Sequence, residues 1–406
     1  MTATISNGSY PQIDEAGLDG KRVLVRADLN VPLADGKVSD ATRIERFLPT
    51  VKRLAESGAK VIILSHLGRP KGQKNPEFTL RPVAEKIAEL MPERPVRFVE
   101  DCIGDQVKQA VDAMKPGDIV LLENLRFYKG EEENDPDFVA ALAALGDIFV
   151  NDAFSVSHRA HASVYGLARR LPAYAGPQMM DELRAFEVVL ELPKRPVAAI
   201  VGGAKVSTKI PVLTNLVSKV DILIIGGGMA NTFLHAQGRQ VGKSLCEPDF
   251  ADTVGEIMSR AVETGCRIVL QTDAVVAAAF EPNAPSSVYA VTNVPEDGMI
   301  LDIGPKSVED FGERLKGART LLWNGPVGAF EIPPFGEGTF ALAKLAAELT
   351  KKGGLVSVAG GGDTVAALNL AGVTDDFTYV STAGGAFLEL LEGRELPGVA
   401  VLARTR

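Results

Sequence analysis

Ten times along this chain a short run of apolar, mostly β-branched residues ends in glycine or polar residues, and a stretch with helical periodicity follows. Such alternation is the mark of βα units, and it restricts the chain to an α/β fold. In the first half the runs are VLVR at 23–26, VIILS at 61–65, IVLL at 119–122 and IFV at 148–150. In the second half they are VAAIV at 197–201, ILII at 222–225, IVL at 268–270, TLLW at 320–323, LVSV at 355–358 and YVS at 379–381. Their near-continuous hydrophobicity predicts strands buried on both faces of parallel sheets.

A chain of 406 residues has room for two or three domains. The stretch DELRAFEVVLEL at 181–192 has helix-forming composition and is stopped by Pro193 and Pro196, after which the second series of βα units begins. The predicted architecture is two doubly wound parallel-sheet lobes separated by a hinged cleft. Residues 1–182 with the C-terminal segment 393–406 form one, and residues 183–392, including the connecting helix, form the other. In open α/β sheets ligands bind beyond the carboxyl ends of strands, so functional residues are expected just after each apolar run.

Composition removes several alternatives. With 43 basic against 52 acidic residues the chain is net acidic at −9, which argues against an electrostatic nucleic-acid binder. Cys102, Cys246 and Cys266 are odd in number and widely spaced, which suggests neither a disulfide framework nor a zinc site. Residues 1–13 hold no basic residue and no apolar core, and the most hydrophobic uncharged run, 222–234, is short of the roughly 18 residues a membrane helix needs. A cytoplasmic protein without membrane or nucleic-acid partners is expected. The glycosylation sequon at 7–9 carries no weight without a secretory signal.

The first-half runs hand over to polar clusters: Asp28 and Asn30, then His66 to Arg69, then Glu123 to Arg126, then 151–161 with His158, Arg159 and His161. With Arg43, four arginines and up to three histidines converge on one rim. One such arginine alone reads as a surface ion pair. Four at strand ends fit a small, multiply charged anion. His158 and His161 lack a third ligand at metal spacing, so no metal is assigned to this half.

The second-half runs hand over to glycine: Gly202 and Gly203 before Lys205, Gly226 to Gly228, Gly325 to Gly328, Gly360 to Gly362 before Asp363, and Gly384 with Gly385. Glycines at a strand end let backbone N–H groups approach phosphate oxygens, and the next helix N-terminus adds partial positive charge. Each cluster alone could be a tight turn; five in one lobe predict a nucleotide site. Lys205 and Lys209, four apart, are expected on one helical face, both reaching one phosphate chain. Asp363 could hold magnesium on the nucleotide, cap the following helix, or do both. GRQVGKS at 238–244 has one residue too few between its glycines for a Walker A loop, and GGGMAN at 226–231 has Asn231 in place of the third glycine of a dinucleotide fingerprint.

The segments VRADLNVP, SHLGRP, LLENLRF, HRAH, GGAKVSTKI, GGGMANTF, VGKSL, WNGPVGAFE and AGGGDT occur in this order. From about Leu18 to Glu392 the chain resembles the phosphoglycerate kinases. The resemblance implies reversible phosphoryl transfer between 1,3-bisphosphoglycerate and ADP, giving 3-phosphoglycerate and MgATP, in glycolysis, gluconeogenesis or carbon fixation. It places the triose on Asp28, Asn30, Arg43, His66, Leu67, Gly68, Arg69, Arg126 and Arg159. It places the nucleotide on Lys209, Gly226, Gly227, Leu301, Asn324, Glu331, Gly361, Gly362, Asp363 and Thr364, with Glu331 at the ribose and Mg2+ at Asp363. Arg43, Lys205, Lys209, Gly384 and Gly385 are expected to act on the migrating group, and the C-terminal residues to pack on the first lobe. A monomer is expected. Two departures stand out: Ala383 occupies a position where the family commonly has glycine, and PQMM at 177–180 replaces an aliphatic sequence before the connecting helix.

The chemistry agrees independently. A carboxylate nucleophile and a diphosphate are both ionised at pH 7, so no general base is needed. Catalysis must then come from positioning and charge neutralisation, with the lobes closing around the connecting helix. Two other readings remain open from the residues: an NAD-dependent dehydrogenase, which requires an intact dinucleotide fingerprint, and a non-catalytic two-lobe anion-binding protein, which has no use for the lysine pair.

Overall fold

A computed structural model of the chain describes residues 10–403; the sequon at 7–9 and most of the opening segment lie outside the described residues. The chain divides into two compact units. One runs to Arg184 and resumes at Glu395; the other is Ala185–Arg394.

The first unit is built on a six-stranded parallel sheet of β1 (Arg22–Arg26), β2 (Lys60–Leu64), β3 (Val96–Val99), β4 (Ile119–Leu122), β5 (Ile148–Asn151) and β6 (Ala173–Ala175), in spatial order β3-β4-β2-β1-β5-β6. Side chains alternate across it. Val23, Val25, Val61, Ile63, Leu121 and Val150 meet Phe47, Val51 and Leu54 of the helix Thr42–Glu56 on one face. Leu24, Ile62, Leu64, Val120 and Phe149 meet Val107, Val111, Phe138 and Leu142 on the other. Burial of both faces is why these strands read as unbroken apolar runs. Two of the six, β3 and β6, escaped the sequence reading because their side chains are only partly buried, so neither presents a continuous run. The C-terminal turn Pro397–Ala400 docks on this unit, where Gly398 N–H donates to the Ser157 carbonyl (2.9 Å).

The second unit repeats the plan with β7 (Val197–Val201), β8 (Ile222–Ile225) and β9 (Arg267–Val269). A three-stranded antiparallel sheet follows, with β10 (Asp273–Ala277) between β11 (Ser286–Ala290) and β12 (Met299–Ile303). The parallel sheet then resumes with β13 (Thr320–Asn324), β14 (Val356–Gly360) and β15 (Tyr379–Ser381), in order β9-β8-β7-β13-β14-β15. The antiparallel sheet is an addition to the expected architecture. Its β11 is mostly exposed and gives no apolar run to read.

Strand order in the second unit reverses between β7 and β13, the position at which a doubly wound sheet opens a crevice. The backbones there touch. A Cβ on Gly202 would lie 1.9 Å from the Pro326 carbonyl oxygen, and one on Gly325 would lie 2.1 Å from that of Gly202. Glycine is therefore a packing requirement at both strand ends. The helix before β7 spans Pro177–Phe186, starting earlier than the sequence reading placed it, and ends in a π-helical turn, Glu187–Glu191.

Candidate active site

In the first unit the residues beyond β1, β2, β4 and β5 interlock. The Arg43 guanidinium pairs with the Asp28 carboxylate (2.8 Å) and donates to the Asn30 carbonyl (3.1 Å). Asn30 Oδ1 accepts from Gly68 N–H (2.9 Å), whose carbonyl in turn accepts from Arg126 Nη1 (2.9 Å). The SHLGR loop is thus clamped from both sides. Asn124, just beyond β4, donates its Nδ2 to the Leu67 carbonyl (2.7 Å), and its Oδ1 accepts from the Arg126 backbone N–H (3.0 Å). Gly68 lies at φ +59°, where a Cβ would run into the Phe78 ring. Arg69 and Arg159 are exposed. Arg69 lies near enough to Arg126 to disfavour its charge, and Arg159 does the same to His161.

Beneath this layer lies a residue the sequence reading passed over as the last member of an apolar strand. Arg26 is fully buried. Its Nε donates to Ser163 Oγ (2.8 Å), its Nη1 to the Ala27 carbonyl, and its Nη2 meets His66 Nδ1 (3.1 Å). Burial pushes its pKa down to about 10, against the opposing pull of Glu131. The signal was present: a charged side chain inside a run whose neighbours are all buried needs dedicated partners. Burial, reinforced by Arg26, Arg126, Arg43 and His161, drives the His66 imidazole well below its ordinary value, so it is neutral at pH 7. His161 is lowered to about 4, again by burial first and then by Arg126, Arg26 and Arg159. Suppressed histidines among arginines mark a strongly cationic cluster, the electrostatic complement of a phosphorylated carboxylate. Ser155 Oγ, also unforeseen, donates to Asp28 Oδ2 (2.6 Å).

In the second unit polar groups gather around the ends of β13 and β14. Lys209 Nζ donates to Asn324 Oδ1, and Asn324 Nδ2 donates to the Gly360 carbonyl (2.7 Å). Thr364 Oγ1 donates to that same carbonyl (2.9 Å) and accepts from Gly325 N–H (2.7 Å). Gly361, at φ +99°, caps the helix Gly362–Ala371, and Asp363 projects, exposed, from its first turn. Burial lowers the Lys209 pKa, and Asp363 and Glu392 oppose that shift. Gly226 and Gly227 lie at the end of β8; a Cβ on Gly227 would meet Gly203 backbone atoms at 2.7 and 2.9 Å. Gly384 and Gly385 open the helix Gly385–Leu391 beyond β15.

The expected sharing of one helical face by the two lysines is not what the chain does. Lys205 is extended (φ −127°, ψ 130°), a 3-10 turn occupies Val206–Thr208, and the helix begins only at Ile210, with Pro211 in its first turn. Proline belongs in a first turn, where an N–H is unpaired in any case, so it fixes the start later than spacing alone suggests. Lys209 therefore turns inward to Asn324, while Lys205 is exposed and adds its charge to the Ser207 N–H and Oγ–H bonds that, against burial, hold the Glu247 carboxylate low. Leu301 and Glu331 lie apart from the polar group. Leu301 lies on β12 of the antiparallel sheet and packs with Ala277 and Phe335, and Glu331 is exposed.

One unit with a cluster of guanidinium groups at its strand ends, and another with a glycine-rich crossing beside a half-buried lysine, define an α/β protein suited to small phosphorylated anions. The phosphoglycerate kinase family profile matches residues 13–394. The "Phosphoglycerate kinase" of Mesorhizobium japonicum is 62% identical over 397 residues, covering 98% of this chain and all of the relative. That of Rhizobium meliloti is 60% identical, covering 96% of this chain and 97% of the relative. Among solved structures, phosphoglycerate kinase from Coxiella burnetii superposes with a TM-score of 0.90 at 43% identity, covering 97% of this chain and 98% of that one. The enzyme from Pyrococcus horikoshii does so with 0.81 at 31% identity, covering 96% and 98%.

The chain belongs to the phosphoglycerate kinase family. Its activity is the phosphotransferase reaction of that family in glycolysis, between 1,3-bisphosphoglycerate and ADP on one side and 3-phosphoglycerate and ATP on the other. The relatives lend no support to a dehydrogenase or to a non-catalytic anion-binding protein. Among the described residues no helix is long and apolar enough to cross a membrane.

Proposed function

We propose that the first unit is the phosphoglycerate domain and the second the nucleotide domain of a monomeric, cytoplasmic enzyme. The reading is carried by the first-unit cationic cluster, in which Arg26, Arg43, Arg126, Arg69 and Arg159 gather about two histidines whose protonation is suppressed. The non-transferred phosphate and the triose backbone rest on Asp28, Asn30, His66, Leu67, Gly68, Arg69, Arg126 and Arg159. Arg43 and Lys205 meet the migrating phosphoryl group, with the N–H groups of Gly384 and Gly385 at the next helix start. The nucleotide phosphates rest on Lys209, Asn324, Gly361, Gly362 and Thr364, and Glu331 and Leu301 border the nucleoside.

The donors near Asp363 fit a magnesium ion that arrives on the phosphates. It is one exposed carboxylate beside a glycine turn, and the described residues hold no group of three or more histidine, cysteine or acidic side chains able to cage a metal. When bound there, magnesium neutralises phosphate charge. The protein's own part is to hold the acceptor carboxylate and the phosphoryl donor in line, at about 3–3.5 Å, with water excluded, and to place cations where negative charge spreads. With the two ligands assigned to different units, that approach calls for closure of one on the other. No proton has to leave the nucleophile, so no general base is assigned.

The test is a coupled assay of ATP formation from 1,3-bisphosphoglycerate and ADP, with and without chelated magnesium. Metal-dependent ATP formation is expected; turnover that chelation leaves unchanged contradicts the magnesium assignment.

A further inference from the structure

Glu131 is fully buried in the first unit, on a short helix, Lys129–Glu133, just beyond the turn that carries Arg126. Both of its carboxylate oxygens are engaged by a single residue. Oε1 accepts from Ser163 Oγ (2.6 Å) and Oε2 from Ser163 N–H (3.0 Å). The Ser163 hydroxyl has one proton, and it goes to Glu131, so its lone pair is left to accept from Arg26 Nε at 2.8 Å. Arg26 can only donate, so at the far end of its guanidinium His66 Nδ1 must accept, and the ring proton of the neutral imidazole sits on Nε2. His161 Nδ1 lies 3.9 Å from Glu131 Oε1, beyond hydrogen-bonding distance. Burial raises the Glu131 pKa, and Arg26, the two bonds from Ser163 and Arg126 oppose that rise.

From this chain of contacts we infer that Glu131 and Ser163 are positioning residues, which act through Arg26 to fix the tautomer and orientation of His66 and so to present its Nε2–H to the phosphoglycerate. Neither touches the substrate. The inference rests on the assignment of the triose to this unit.

Steady-state kinetics of Ser163→Ala, Glu131→Gln and His66→Gln in the full chain, alone and as the Ser163→Ala/His66→Gln double variant, test it. Loss of one aligned hydrogen bond of this kind is expected to raise the KM for 3-phosphoglycerate about fivefold to tenfold in Ser163→Ala and in Glu131→Gln, with kcat within about twofold. The KM for MgATP should not move. In the His66→Gln background, Ser163→Ala should add less than about twofold, because the two act through one another. A full additional effect in that background, or an unchanged KM in Ser163→Ala, overturns the inference while leaving the triose site in place. An unchanged KM in His66→Gln itself overturns the site and the inference together. Should Glu131→Gln fail to fold, nitrogen NMR of the parent protein still decides. An unprotonated His66 Nδ1 with a protonated Nε2 is expected, and a protonated Nδ1 overturns it.

Discussion

Arg43 and Lys205 differ in how the resting protein holds them, and that difference bears on what each can do. Arg43 is already paired with Asp28 and the Asn30 carbonyl, so its guanidinium is pre-placed and does not have to reorganise during transfer. Lys205 is exposed, with the Glu247 carboxylate in its field. Both charges matter most when the phosphoryl group is between its partners. Replacement of either by alanine is expected to lower kcat by on the order of 10²-fold with a smaller change in KM, as measured in the coupled assay. A kcat within a factor of two of the parent contradicts the role. Arg126 is a different case, because its fork geometry rather than its charge is in use: Nη1 already serves the Gly68 carbonyl. An ammonium keeps the charge and loses the fork. Arg126→Lys should therefore raise the KM for 3-phosphoglycerate about tenfold and leave the nucleotide KM unchanged, and equal KM values in both proteins contradict it.

At the scale of elements, a buried carboxylate ties the end of β5 to a helix start. Asp152 accepts from Thr50 Oγ1 (2.7 Å), from Gln178 N–H (2.7 Å) and from Met179 N–H (3.2 Å), so it satisfies the opening turn of Pro177–Phe186. Burial outweighs these bonds and raises its pKa to about 6. Since the folded value lies above the unfolded one, the unfolded chain ionises first as pH rises. Stability from this group is complete below about pH 4 and is lost on the way to about pH 6, by on the order of 3 kcal/mol. Asp152→Asn can still accept at Oδ1 and donate to Thr50, so its melting midpoint should fall less than that of the parent between pH 4 and pH 6.5. Parallel curves for the two proteins contradict the shift.

The same elements show what a sequence discloses and what it withholds. The buried strands β1, β2, β4, β5, β7, β8 and β13 were legible because burial on two faces makes their runs nearly continuously apolar. The edge strands β9 and β15 were legible too, but β3, β6 and β11 were not, since their partly or mostly exposed side chains leave no continuous apolar run. Glycine clusters and arginines after strands were legible as chemistry, since strand ends are where such residues gather. Arg26, Glu131 and Ser163 were not: Arg26 and Ser163 are 137 residues apart, and only the folded sheet and the π-helical turn Ala162–Gly166 bring them together. Nor could spacing show that Pro211 delays a helix and separates Lys205 from Lys209.

For the whole molecule, the proposed mechanism puts two anionic ligands on two compact units and leaves transfer to charge and position alone. Each unit has its own sheet, its own core and its own set of cations. Independent half-sites make a strong demand, because damage to one should leave the affinity of the other intact for sites this far apart in function. Calorimetric titration of Asp363→Ala and Arg126→Ala, each with 3-phosphoglycerate and with MgADP, measures this directly. Asp363→Ala is expected to lose MgADP affinity and keep 3-phosphoglycerate affinity, and Arg126→Ala to do the reverse. If Asp363→Ala weakens 3-phosphoglycerate while MgADP still binds, the ligands have been assigned to the wrong units and the account fails.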